Sequence, residues 1–450
     1  MADYAKIFKS YDIRGLVPAE LDEGVAEAVG AAFATMTGAD AVVIVHDMRA
    51  SSAPLAASFA RGVTSTGADV VDGDLGSTDM LYFGSGSLGI PGAMITASHN
   101  PAVYNGIKLC RAGAKPVGQD TGLAQLRDMA SAGIRTEASS PGSVTKQDLL
   151  SSYADYLQNL VDLSAIRPLK VAVDAGNGMA GHTVPDVFAG LPIEVVPLYF
   201  ELDGSFPNHE ANPIDPANLL DLQAAVLASS ADIGLAFDGD ADRCFVVDEQ
   251  GQIVSPSVLT ALIAARELAR EPGAPVIHNL ITSKAVPEIV TEHGGAPVRT
   301  RVGHSFIKAV MAEHGAIFGG EHSGHFYFRD FWFADSGMLA ALHVLAALGG
   351  QDQPLSRMLA QYSRYVASGE INSEVRDQAA ATDEVTKEFA GRPGLTTDEL
   401  DGLTVASHDW WFNLRPSNTE PLLRLNVEAD NDTNLAKVTD EVLRIVRKDG

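Results

Sequence analysis

A short, nearly unbroken apolar run that ends abruptly in polar residues recurs along this chain, and no other feature narrows the possible folds as far. Ala41–Val45 (Ala-Val-Val-Ile-Val) and Ile233–Phe237 (Ile-Gly-Leu-Ala-Phe) contain no charged residue, and Leu169–Asp174 and Pro275–Asn279 are of similar length. Runs of this kind suit strands of a parallel sheet buried on both faces. Further strands are expected at Val70–Asp74, Ile193–Pro197 and Pro297–Arg301. Between them the apolar spacing becomes helical, over Leu21–Thr35, Ala53–Thr66, Ser257–Arg270, Ser283–His293, Ser305–His314 and Asp335–Leu348. Strand–helix alternation of this sort is the signature of α/β layers.

The alternation runs through three rounds, the first two separated by a Ser/Gly-rich stretch at 138–143, and then it stops. The C-terminal segment reads instead as a helix (Thr382–Ala390), three strands (Thr404–Ser407, Trp410–Leu414, Leu422–Glu428) and a closing helix (Thr433–Arg447). The expected architecture is therefore α/β: three similar domains of mixed sheets flanked by helices, at 1–146, 147–250 and 251–364, and an α+β domain at 365–450. A chain of 450 residues needs several cores. Its formal net charge of −26 opposes nonspecific binding to nucleic acid or to anionic membranes. No apolar run reaches the ~20 residues of a spanning helix, and the start, Met-Ala-Asp-Tyr-Ala-Lys, lacks a signal-peptide layout. Two cysteines, Cys110 and Cys244, make neither a disulfide framework nor a zinc site. A cytoplasmic protein is expected.

Four polar stretches carry chemistry. Thr96-Ala-Ser-His-Asn-Pro101 follows a short apolar run, and Pro101 stops a helix from forming across it. Ser98, beside His99 and within reach of Lys108, suits a nucleophile or covalent group carrier, or else a polar turn linking two strands. Asn105-Gly106 is read as the tight turn that brings Lys108 back. The second stretch is Asp238-Gly-Asp240-Ala-Asp242-Arg243, at the end of the run Ile233–Phe237, where ligands of open α/β sheets collect. Three carboxylates with small spacers can converge on one hard cation. An EF-hand is excluded because its sixth position needs Gly and holds Arg243; so few carboxylates suit Mg²⁺ better than a Ca²⁺ cage. In the third, Gly319 to His325, Glu321 and Ser323 can bind vicinal sugar hydroxyls, and His325 has the ordinary pKa of an acid/base. In the fourth, Arg415-Pro-Ser417-Asn418-Thr419-Glu-Pro421, with Arg424 beyond it, suits a phosphate cradle, or else a polar hairpin turn; two arginines in so acidic a chain favour the cradle.

Taken together, Tyr11-Asp-Ile-Arg14-Gly, Thr96 to Pro101 with Asn105 to Lys108, Asp238 to Arg243, Gly320 to His325 and Arg415 to Thr419 resemble the α-D-phosphohexomutases, of the bacterial phosphomannomutase/phosphoglucomutase kind. They occur in that family's order from residue 11 to 424. The resemblance implies four domains around a central cleft and a Ser98 that is phosphorylated in the resting enzyme. It implies Mg²⁺ held by Asp238, Asp240, Asp242 and the phosphoserine, with Arg243 and His99 lining the transfer centre. Glu321 and Ser323 would grip the sugar. Arg415, Ser417, Asn418, Thr419 and Arg424 would bind the idle phosphate. Tyr11, Arg14, Lys284 and His304 would make secondary contacts, and Lys108 and His325 would be base and acid. The implied reaction moves phosphate between C6 and C1 of mannose, and of glucose, through a hexose 1,6-bisphosphate that also serves as activator. A monomer or homodimer is expected. His322 stands where related sugar loops often carry Met; phosphoglucosamine mutases differ at this loop and around the serine. A serine hydrolase lacks its G-x-S-x-G elbow here, and a phosphosugar-binding protein without turnover would not need the aspartates and Ser98.

Overall fold

The computed structural model describes residues 3–417 and 422–448. Three of its sheets share one plan. In the first, Ala41–His46 lies between Asp69–Leu75 and Gly92–Ile95, all parallel, and Tyr104–Arg111 then runs antiparallel to Gly92–Ile95. In the second, Leu169–Asp174 lies parallel to Ile193–Leu198 and to Ile233–Phe237, and Cys244–Asp248 returns antiparallel. In the third, Pro275–Asn279 lies parallel to Ala296–Thr300 and to Phe318–Gly320, and Phe326–Phe328 returns antiparallel. The fourth sheet, Val366–Glu374, Leu422–Ala429, Trp410–Pro416, Leu403–Ala406 and Thr396–Asp398, is antiparallel throughout. Mixed α/β sheets and a distinct last unit are what the patterning predicts. The family-typical polar stretches now take a common place. Each of the first three lies where the last parallel strand turns back into its antiparallel neighbour; of the fourth, Arg415 and Pro416 end the strand Trp410–Pro416, with Pro416 opposite Leu423.

The Asn105-Gly106 expectation needs correction. Both residues lie inside the strand Tyr104–Arg111, and the chain reverses earlier, through residues 96–103. Gly106 is there for close approach: a Cβ on it would stand 2.3 Å from the Ile13 carbonyl oxygen of the neighbouring strand Ile13–Leu16. Lys108 faces the cleft because its strand pairs in register with Gly92–Ile95, opposite Met94. The helix expected from Asp335 begins at Gly337, capped by the Ser336 hydroxyl, and Asp335 stays in the strand Ala334–Asp335.

One apolar core runs through the first three units, from Val43 and Met94 through Val173 and Phe237 to Phe318 and Leu345. At their junction Trp332 stacks on Tyr156 with ring centroids 5.1 Å apart, and lies so close over Gly86 that a Cβ there would be 2.2 Å from the indole. A second core packs the helices Glu23–Thr37 and Ser52–Ser65 on the other face of the first sheet. The fourth unit has its own core around Phe389, Phe412 and Val442. A small cluster of Leu280, Ile281 and Trp411 joins it to the third.

The two helices of the first unit approach through glycine. A Cβ on Gly62 would lie 2.0 Å from the Glu27 carbonyl oxygen. Alanine ordinarily favours a helix over glycine by about 1 kcal/mol. Here Gly62→Ala should instead destabilise by roughly 1–3 kcal/mol, the range for overpacking, read as a lower denaturant midpoint; a higher midpoint would show that the helices can part at no cost.

Candidate active site

Ser98 sits at the first of these turns with a left-handed backbone, φ 51°, a conformation that costs a non-glycine residue of order 1 kcal/mol and needs support. The support is a buried arginine. Arg49 donates to the carbonyls of Ser98 (2.8 Å), Asn100 (2.7 Å), Pro101 (3.0 Å) and Tyr104 (3.0 Å), and pairs with Asp47. Thr96 Oγ1 accepts the Ser98 N–H at 2.9 Å, and its own proton goes to Asp47. The loop is thus fixed carbonyl by carbonyl from the carboxyl end of the strand Ala41–His46.

The buried Ser98 hydroxyl reaches into the second unit. Its oxygen lies 2.8 Å from Asp238 Oδ2 and 3.1 Å from His99 Nδ1, and its single proton can serve one of them at a time. Arg243 donates to the same His99 Nδ1 at 2.6 Å, so that nitrogen is an acceptor and the ring proton is on Nε2. Burial, with Arg243 and Arg14 nearby, pushes His99 down to about 2, and the ring is neutral. Arg14 donates to the Ala97 carbonyl and the Asn100 amide oxygen, and pairs with Asp12.

Asp238, Asp240 and Asp242 are all buried, and one oxygen of each lies within 4.8 Å of the others. Burial, Asp242 and Asp240 push Asp238 up, against the pull of Arg243, which grips it through Nε and Nη2. Against burial, Lys108 and His325 hold Asp242 well below the usual carboxylate range. Lys108 Nζ lies 2.6 Å from both Asp240 Oδ2 and Asp242 Oδ2; burial opposes its charge, but the two carboxylates hold the proton far more firmly than usual. In this arrangement Lys108 is a bound cation, and a base only once released. Asp240 Oδ1 is buried and accepts no hydrogen bond among the described residues. Asp242 Oδ1 is likewise buried without one, and converging hard oxygens of this kind fit a divalent cation.

From the third unit, His325 Nε2 lies 3.5 Å from Asp242 Oδ1, and its Nδ1 is 3.0 Å from Ser323 Oγ. Burial works against its charge, but Asp242, Asp335 and Glu321 raise it overall. Glu321 is held by Tyr327 OH (2.6 Å), Asn279 Nδ2 (3.1 Å) and the Gly303 N–H (3.2 Å). Tyr11, Arg14, Ser98, Lys108, Arg243 and His325 line one cleft of about 340 Å³, and Tyr11 OH packs against Gly303. Of the sequence-derived residues, Tyr11, Arg14, Ser98, His99, Lys108, Asp242, Arg243 and His325 are brought together there, with Asp238 against Ser98 and Ser323 against His325.

Others stand apart. Lys284 Nζ donates to the His408 carbonyl at 2.8 Å and lies over the Tyr365 ring, at the contact between the third and fourth units. His322 lines a separate cavity of about 230 Å³ between those units, with Trp411 and Glu428. Arg415 and Arg424 both pair with Glu370, at 2.7 and 3.3 Å, and Ser417 Oγ accepts from Arg424 at 3.3 Å. Asn418, Thr419 and the His304 side chain lie outside the described residues.

The cleft also holds residues that the sequence reading passed over. Lys308 Nζ is 2.5 Å from Asp335 Oδ1 and 4.1 Å from the Tyr82 ring centroid, all three on the cleft wall. Arg49 had a legible signal, since it follows the carboxyl end of a buried strand; Lys308 and Glu370 carry none that spacing reveals.

Comparison with known proteins agrees with this geometry. Models of phosphoglucomutase/phosphomannomutase alpha/beta/alpha domains I, II and III match residues 5–132, 151–251 and 256–365, and the C-terminal domain model matches 370–445. The chain is 38% identical over 445 residues to the phosphomannomutase of Escherichia coli strain K12, covering 97% of each. It is 40% identical over 443 residues to a protein of Xanthomonas campestris pv. campestris described as phosphohexose mutases, covering 98% of this chain and 99% of that one. A crystal structure of a phosphoglucomutase/phosphomannomutase family protein from Burkholderia thailandensis superposes with a TM-score of 0.90 at 33% identity, over 100% of this chain and 99% of that one. The open form of the Paramecium phosphoglucomutase parafusin shares the fold, with a TM-score of 0.81 at 18% identity. Four domain models in order and full-length relatives at 38–40% identity make this chain a member of the phosphoglucomutase/phosphomannomutase family.

Proposed function

We propose that this protein is a phosphohexomutase that moves phosphate reversibly between C6 and C1 of mannose, and secondarily of glucose, with Ser98 as the phosphoryl carrier. The observation that carries this reading is the 2.8 Å contact of Ser98 Oγ with Asp238 of the buried triad, which puts a serine where its phosphate and a cation would meet. Relatives named phosphomannomutase and phosphohexose mutases over the whole length support the substrate class.

Charge bookkeeping supports Mg²⁺. Three buried carboxylates face Arg243 and Lys108, with the His325 ring beside Asp242. A phosphate on Ser98 adds about −1.5 to −2, which calls for a divalent cation held by Asp238, Asp240 and Asp242. Bound there, Mg²⁺ offsets charge on the transferring phosphoryl oxygens.

The remaining roles belong to the chain's own groups. Arg243 and the neutral His99 orient the Ser98 oxygen. Glu321 and Ser323 take sugar hydroxyls, and His325 gives or accepts the hydroxyl proton. Lys108, once freed from Asp240 and Asp242, is the second proton-transfer group. Arg415, Ser417, Asn418, Thr419 and Arg424 hold the phosphate that is not reacting, with Tyr11, Arg14, Lys284 and His304 at secondary contacts. Because one cradle must accept either phosphate, the hexose 1,6-bisphosphate turns over between the two transfers. The separate core of the fourth unit suits closure over the cleft, which excludes water from the phosphoserine. Among the described residues no helix is long and apolar enough to cross a membrane. Work in the cytoplasm, as a monomer or homodimer, belongs to the same proposed reading.

The decisive assay is conversion of mannose 1-phosphate to mannose 6-phosphate with Mg²⁺ and a trace of glucose 1,6-bisphosphate. Turnover is expected in the wild type and should vanish in Ser98→Ala; release of inorganic phosphate in place of isomerisation would identify a hydrolase. A second outcome concerns the loop. Arg49→Lys keeps the charge but loses the planar fork that binds four carbonyls, and a misplacement on the order of 1 Å costs about 100-fold in turnover. That loss is expected with folding intact by circular dichroism, and wild-type turnover would show that the loop holds its shape unaided.

A further inference from the structure

The Asp240 carboxylate is gripped from the first unit. The helix Thr78–Leu88 begins beside it, with Ser77 as its cap. The Thr78 N–H donates to the Asp240 carbonyl oxygen at 3.0 Å, and the Thr78 hydroxyl donates to Asp240 Oδ2 at 2.5 Å. Lys108 shares that Oδ2 at 2.6 Å and lies 3.4 Å from Thr78 Oγ1. The grip is itself anchored. Asp79, wholly buried, accepts hydroxyl protons from Ser77, from Tyr153 at 2.6 Å and from Ser336 at 2.6 Å. Gly337, next to Ser336, presses on the same metal loop: a Cβ there would stand 2.7 Å from the Arg243 carbonyl oxygen.

We propose that Thr78 is a positioning residue for the metal: its two donors lock Asp240 in one orientation, with Oδ2 engaged and Oδ1 presented to the cation. Asp240 Oδ1 is buried without a hydrogen bond among the described residues while Oδ2 is held by Thr78 and Lys108; Asp242 Oδ1 is likewise without one, its Oδ2 being held by Lys108 alone. A carboxylate with one oxygen fixed by a hydroxyl loses less freedom on coordinating, and the bond sets which oxygen points at the ion. Groups that hold metal ligands in this way typically contribute 10–100-fold in metal affinity. The inference rests on reading the three aspartates as Mg²⁺ ligands, and the experiment separates the two.

Mg²⁺ binding to the full-length protein is measured by titration calorimetry, and by the rise in melting temperature with added Mg²⁺. Thr78→Val removes the hydroxyl at nearly constant shape, Thr78→Ala removes it without adding a contact, and Thr78→Ser keeps it. Both Val and Ala variants should bind Mg²⁺ about 10–100-fold more weakly, while Ser stays near wild type. The Mg²⁺ concentration giving half-maximal mutase activity should rise by the same factor, with KM for the hexose phosphate unchanged and kcat recovered at saturating Mg²⁺. Wild-type Mg²⁺ affinity in Val and Ala would overturn the role of Thr78, as would a Ser variant as weak as Val. Asp240→Asn is the control: unchanged Mg²⁺ binding there would overturn the metal reading, whereas its loss beside normal binding in Val and Ala would overturn the role of Thr78 alone.

Discussion

Three carboxylates buried within one six-residue loop set the condition that the rest of the molecule meets. An uncompensated charge in a protein interior costs several kcal/mol, so Asp238, Asp240 and Asp242 can be buried together only if cations reach them. Arg243 comes from the same loop and Lys108 from the first sheet, and the third unit brings His325 beside Asp242. The three units are therefore docked by electrostatics as well as by their common core. A displacement of either neighbour leaves an unpaired ion on both sides.

The topology makes this meeting possible. In each α/β unit the reactive loop follows the last parallel strand, where the chain folds back antiparallel. Such a hairpin has both ends fixed by sheet hydrogen bonds. The side chains it displays, Ser98, the aspartates, and Glu321 to His325, are held on stiff supports although they lie in loops. Left-handed residues appear at Ser98 and Ala241, within the first two loops. The fourth unit differs in fold but displays its arginines on two paired strands, Arg415 on Trp410–Pro416 opposite Arg424 on Leu422–Ala429.

Much of this was legible from residue patterns. The strands Leu169–Asp174, Ile233–Phe237 and Pro275–Asn279 begin and end where their apolar runs do, because burial on both faces leaves no ambiguity of period. The helix Thr78–Leu88 escaped notice for the converse reason: its sequence is rich in Gly and Ser and most of it is buried, so it has no polar face to mark a turn. Asn105-Gly106 misled because the pair that favours a tight turn also permits two strands to approach closely. Motifs display the polar residues of the loops, whereas of the residues that hold them only Arg49 has a signal in the sequence. Arg49 works through backbone carbonyls, and Glu370 pairs with Arg415 and Arg424 from a strand whose register with Leu422–Ala429 shifts between Ala367 and Glu370. Long-range pairings of this kind exist only once the chain is folded.

The shared core of the first three units has a consequence for how such a chain can change over time. The Trp332–Tyr156–Phe83 seam and the continuous apolar cluster make every boundary among those units an interior surface. None of the three could be traded for a relative's counterpart without repacking the other two. The fourth, with its own core and a narrow apolar contact through Trp411, is the natural unit of exchange by recombination. The unit that carries Arg415 and Arg424 could thus be inherited separately from the three that meet around the aspartates.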